Sequence, residues 1–173
     1  MVIWSLVSGL IHVLWEGAWV VAAPYLQTPA ALHDWRLYWT LYGFADHRYL
    51  HADPFLRVLE LVTATVVAAL NFWAAYQLSR RRNAASAMAA LLVASVMEVY
   101  GTVLYFGSEL FNHWADVDTT SFVHMWIMFV GLNALWVVIP GWCIYEILVY
   151  QLGSRRTAPR TWGAPLPAAE LSR

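Results

Sequence analysis

The stretch SLVSGLIHVLWEGAWVV, residues 5–21, sets two demands at once. It is apolar enough and long enough to cross a bilayer, which needs roughly 20 mostly apolar residues. Yet it carries His12 and Glu16 in its middle, where a charge is costly and faces the bundle interior or a water-filled space. At 100° per residue the two lie on one helical face, with Ser5, Ser8 and Trp19 on the same stripe. A retained membrane helix fits this better than a secretion signal: no Lys or Arg precedes Arg36, so a basic leader region is missing.

Working outward, three more segments qualify as spans: about 55–79, 84–107 and 121–149, the last with Pro140 inside it. The expected fold is an all-α membrane bundle of four helices, residues 1–152, followed by a flexible Arg- and Pro-containing tail, 153–173. The composition agrees, with 61% hydrophobic and only 12% charged residues over 173 positions, about half the usual charged share. The net charge of −1 leaves nucleic acid without a basic face to bind. A lone cysteine, Cys143, excludes an intrachain disulfide. Between the first two spans, HDWRLYWTLYGFADHRYLHADP (33–54) is too aromatic for a disordered linker and reads as a cap over the bundle or a membrane-interface segment. The RRRN run at 80–83 and the basic tail orient as cytoplasmic, placing the cap on the far side.

Each of the other spans also has a polar or aromatic stripe. The second presents Glu60, Thr63 and Asn71, the third Glu98, Thr102 and Tyr105, the fourth Trp126, Asn133, Trp136 and Pro140. The economical arrangement turns all four stripes toward one cavity. Ser5, Ser8 and Asn71 serve as interhelical glue in this reading. Three carboxylates and a histidine exceed what glue needs, since Asn or Gln would do that work at less desolvation cost. His12 and Glu16 are too few ligands for a metal, and phosphate-binding loops, CxxC pairs and GxSxG elbows are missing. Proton chemistry remains. A carboxylate beside an imidazole can orient it, desolvated carboxyls can act as acid and base, and Trp136 can face a passing cation. Together these describe a cofactor-independent isomerase of an apolar alkene.

Several stretches resemble a known family. HVLWEG (12–17), Trp39 followed by DHRYLHAD (46–53), Glu60 with Thr63, VYGTVLYF (99–106) and NALWVVIPG (133–141) occur in the order found in the emopamil-binding protein family, the sterol Δ8–Δ7 isomerases of the wider EXPERA group. The resemblance covers about residues 10–146. It implies that His12, Glu16, Glu60, Asn133 and Trp136 are catalytic, with His12 the proton donor and Glu16 orienting it. Thr63, with the stripe residues Glu98, Thr102, Tyr105, Trp19 and Trp126, is expected to bind substrate, while the resemblance makes Asp46, Arg48 and Tyr49 a structural cap motif. It also implies an endoplasmic-reticulum membrane, a homodimer, a sterol or other terpenoid substrate and inhibition by cationic amphiphilic amines. Isomerisation or cyclisation of a non-sterol terpenoid, and non-catalytic binding of the sigma-2 receptor type, are the alternatives. The chain departs from the pattern at three positions. Glu98 and Thr102 stand where the family has Gln and Asp, and His47 where it has Ser. The third-span carboxylate is thereby moved one turn along the same face, roughly 6 Å.

Overall fold

The computed structural model describes residues 1–157, with side chains through 149. Among the described residues, four helices are long and apolar enough to cross a membrane: Val2–Tyr25, Pro54–Ser79, Ala84–Phe111 and Val123–Val149. They match the expected spans to within a few residues, and among the described residues no strand forms. The fourth helix continues through Thr157. The expected tail from 158 onward lies outside the described residues.

The ends of the helices follow local chemistry. Asp53 accepts a hydrogen bond from the Leu56 amide, and Pro54 occupies the first helical turn, where its missing N–H costs nothing. Asn83 caps the third span by accepting from the Ser86 amide. Between them the second span closes at Arg80, and Arg81 takes a left-handed φ of 50° to turn the chain back.

The first span packs on the second, the second on the third, and the third on the fourth. Small residues make close approach feasible, as is usual where helices meet in lipid. Ala74, Ala75, Ala87, Ala90 and Ala94 are buried on the second and third spans. A Cβ at Gly9 would meet the Phe72 ring at 2.8 Å. Spans one and four, by contrast, make little backbone contact and meet along their seam through side chains, with Trp4 and His12 against Trp136. Outward faces carry Ile3, Leu14, Val58, Val103 and Val138, all exposed, as a lipid-facing surface requires.

Three of the four spans contain π-helical turns. In the first, the Gly17 amide bonds the His12 carbonyl; in the second, Ala68 bonds Thr63; in the fourth, Leu132 bonds Ile127. Each is an i→i+5 bond, a geometry that is rare and found often at functional sites. The π-turns of spans one and two pack on each other, with Gly17 facing Ala64.

The segment between spans one and two is a folded cap containing short helices Leu37–Gly43 and His47–Leu50. It is tied to the link between spans three and four. The His47 amide bonds the Asp116 carbonyl at 2.8 Å and the Asp118 amide bonds the Ala45 carbonyl at 3.1 Å. Its anchor is a buried ion cluster. Arg48 donates to both Asp46 oxygens at 2.9 and 2.7 Å and to Ser108 at 2.7 Å, lies 3.4 Å from Glu109, and covers the Tyr105 ring. Burial alone would lower the guanidinium pKa, but Asp46 raises it above its ordinary value, so the group stays charged. Replacing Arg48 with Met leaves Asp46 and Glu109 buried and unpaired. It is expected to cost about 3–5 kcal/mol, read as a large fall in the melting temperature in detergent. An unchanged melt means the cluster does not anchor the cap.

Candidate active site

At the centre of the bundle lies His12. Its Nδ1 is 2.5 Å from Glu16 Oε2, and its Nε2 is 3.2 Å from Glu98 Oε1. One face of its ring stacks on Trp136, with centroids 4.6 Å apart and planes 23° from parallel. His12, Glu16 and Glu98 are all buried. Each carboxylate is held in turn. Thr63 donates to Glu16. Ser8 and Asn71 donate to Glu98 Oε1 at 2.6 and 2.9 Å. Spans one, two and three therefore meet in a single polar knot.

Glu60, one turn before the π-segment of span two, accepts a hydrogen bond from the Tyr49 hydroxyl at 2.5 Å. Burial pushes the Tyr49 hydroxyl well above its usual pKa, and the nearby Glu60 charge adds to this, so it remains protonated and donates. Arg57 is exposed and is not Glu60's partner.

Asn133 is set by a chain of donors. Its amide nitrogen donates to Tyr42 Oη at 2.9 Å and to the Phe129 carbonyl at 2.7 Å. The Tyr42 and Tyr105 hydroxyls are 3.2 Å apart, and Tyr105 donates to Asp46 at 2.5 Å. Since Tyr105 spends its hydrogen on Asp46, Tyr42 must donate to Tyr105 and accept from Asn133. The cap carboxylate thus fixes the direction of the whole chain. Both amide hydrogens of Asn133 are occupied, its oxygen accepts no protein hydrogen bond among the described residues, and the residue lines both cavities.

Two cavities adjoin this machinery. The smaller, about 40 Å³, is lined by His12, Leu59, Thr63, Glu98, Gly101, Thr102 and Tyr105 together with five residues shared with the larger one. The larger, about 500 Å³, is mostly apolar, with Trp4, Ile11, Trp15, Trp39, Leu132 and Leu135 in its wall. That volume falls in the range of small-molecule sites, about 300–1,000 Å³. The shared residues are Glu16, Tyr49, Glu60, Asn133 and Trp136. Because spans one and four both contribute wall residues where their backbones stay apart, the larger cavity lies along the seam between them.

Nine of the eleven residues picked out by sequence converge on these cavities; Trp19 and Trp126 do not. Trp19 is fully buried, but it packs on Trp39 and Tyr49 and donates to the Tyr49 carbonyl. Trp126 is 56% exposed on the outer surface. The count of 100° per residue put it on the Asn133 face, but the π-turns between them advance less per residue and rotate it away. Sequence reasoning missed Tyr42 and Tyr49 as site residues. Both sit in the cap, and only its folding against the bundle brings them to the cavity. The aromatic density of the cap was the one available signal.

A family model described as EXPERA (EXPanded EBP superfamily) matches residues 35–147. His12 and Glu16 precede that segment. The chain is 30% identical over 145 residues to the rat 3-beta-hydroxysteroid-Delta(8),Delta(7)-isomerase, covering 84% of this chain and 61% of the rat protein. It is 31% identical to the mouse protein of the same name, with the same coverage. Against isomeliandiol synthase MOI2 of Melia azedarach it is 28% identical over 138 residues, 80% of this chain and 62% of that protein. The chain therefore spans about three fifths of the length of these relatives.

Removing the Tyr42 hydroxyl tests the donor chain. Tyr42→Phe leaves an Asn133 hydrogen and a Tyr105 lone pair without partners, and is expected to cost about 1–3 kcal/mol. Thermal denaturation in detergent against Tyr38→Phe, whose ring lies on the exposed surface, measures it. Equal melts for the two variants would remove the chain from the account.

Proposed function

We propose that this chain, which belongs to the EXPERA (expanded EBP) superfamily, is an integral-membrane isomerase that shifts a carbon–carbon double bond in the ring system of a sterol. The observation that carries this reading is the pair of carboxylates, Glu16 and Glu60, fronting one apolar cavity beside Asn133 and Trp136. An alkene has no charge to grip, so it needs an apolar enclosure. A double-bond shift needs a proton delivered at one carbon and another removed nearby. It also needs anionic and dipolar groups around the cation that forms between these events.

In the proposed reaction, Glu16 delivers a proton to C9, the π pair forms the new C–H bond, and a cation is left at C8. The C7–H bond then breaks, its electrons make the C7=C8 bond, and Glu60 accepts the proton. One proton enters and one leaves, so no cofactor is consumed. The Asn133 oxygen and the Trp136 ring stabilise the cation. His12 is placed behind Glu16 in this scheme, because both of its ring nitrogens are occupied by carboxylates and it borders the small chamber only. This reverses the roles that the family resemblance implied for His12 and Glu16.

The relatives named isomeliandiol synthase and protoglabretal synthase favour a second reading: the same proton steps on a non-sterol terpenoid. The apolar cavity along the seam suits either substrate, since both arrive dissolved in lipid.

Expression in yeast lacking its own Δ8-isomerase separates these readings. The wild-type chain is expected to restore Δ7-sterols. Glu16→Gln and Glu60→Gln are expected to lower the yield by about 10²-fold or more, the usual contribution of a positioned acid or base. Correctly inserted protein without Δ7 product would sink the sterol reading. Feeding the same membranes a terpenoid alkene then tests the second. A tertiary amine shaped like the C8 cation is expected to compete with substrate and to lose affinity in Glu60→Gln.

A further inference from the structure

Glu98 stands outside the substrate cavity, and the isomerase reading above gives it no step. Its surroundings nevertheless single it out. Glu98 Oε1 collects three groups from two neighbouring spans: Ser8 and His12 from the first, Asn71 from the second. Its other oxygen, Oε2, is buried with no hydrogen-bond partner among the described residues. A helix-joining role would not need a carboxyl group here, because a Gln oxygen could accept from Ser8 and Asn71 equally well.

The imidazole it touches is fully committed. Nδ1 faces Glu16, Nε2 faces Glu98, and the ring is stacked on Trp136. Only one of the two flanking carboxylates, Glu16, also borders the apolar cavity. The two sides of the ring are therefore unequal: one leads toward substrate, the other ends on Glu98.

We infer that Glu98 is the positioning residue of this site: it holds a hydrogen on His12 Nε2 through the whole cycle, so that Nδ1 alone exchanges a proton with Glu16. The inference rests on the isomerase reading. The imidazolium gives its Nδ1 proton to Glu16, breaking one N–H bond and making one O–H bond. The neutral ring keeps its Nε2–H on Glu98, and its only free lone pair points at Glu16. Glu16 passes the proton to the alkene carbon. The proton that leaves the neighbouring carbon goes to Glu60, then to Glu16, which shares both cavities with it, and back to Nδ1. The ring returns to its first state without rotating, as its stacked and buried position requires.

Two measurements on full-length protein in nanodiscs test this. The first is ¹⁵N NMR of histidine-labelled protein, with the His12 signal identified by its loss in His12→Gln. Wild type is expected to carry hydrogen on Nε2, and Glu98→Gln to shift toward the Nδ1–H form. The second is steady-state kinetics. Glu98→Gln is expected to lose kcat by on the order of 10²-fold with KM and melting temperature unchanged. Ser86→Ala, which removes the Trp73–Ser86 bond between spans two and three and touches neither His12 nor Glu98, is expected to keep kcat. A wild-type ring with bare Nε2, or a folded Glu98→Gln with wild-type kcat, overturns the inference. Should Glu98→Gln fail to fold, the wild-type spectrum decides alone. A wild type that turns over no Δ8-sterol defeats the isomerase reading instead, and the tautomer measurement still decides the role of Glu98.

Discussion

Everything in the membrane core turns on one imidazole held between two carboxylates. Any one of these groups, alone in lipid, would be costly to bury. Together, His12, Glu16 and Glu98 pair with one another, and Thr63, Ser8 and Asn71 add further hydrogen bonds, although Glu98 Oε2 is left buried without a partner among the described residues. The arrangement locks spans one, two and three at a single depth. It also polarises the site, because one end of the bridge meets the apolar cavity and the other is buried among helices. A polar cluster that stabilises the bundle thereby becomes directional.

The cap makes a second, coupled contribution. Arg48 neutralises Asp46 and Glu109 where water is excluded, and Asp46 in turn terminates the hydroxyl chain that orients Asn133. Tyr49 reaches from the same short helix to Glu60. The cap therefore lines the cavities as well as joining the spans. The larger cavity lies between spans one and four, against folded aromatic residues of the cap, and the burial of Glu16 and Glu60 strengthens each electrostatic contact inside.

The four spans were legible because hydropathy and length are local properties of the chain. The convergence of His12, Glu16, Glu60, Glu98 and Asn133 was legible for a similar reason: polar groups in a helix crossing lipid have few places to point. The limits of this reasoning are equally physical. Trp126 shares a face with Asn133 only in an ideal α-helix, and the π-turns of span four break that count. Trp19 lies on the polar stripe, yet it is taken up by stacking against the cap.

The sequence by itself determined that this is a membrane bundle with an acidic, histidine-containing interior, since the cost of burying charge leaves no other place for those residues. Only the tertiary structure decided how the carboxylates are divided. Glu16 and Glu60 face the apolar cavity, while Glu98 closes the far side of His12. That division depends on sub-turn rotations at three π-segments and on which helices pack together. These are set by contacts between distant residues, which helical periodicity does not encode.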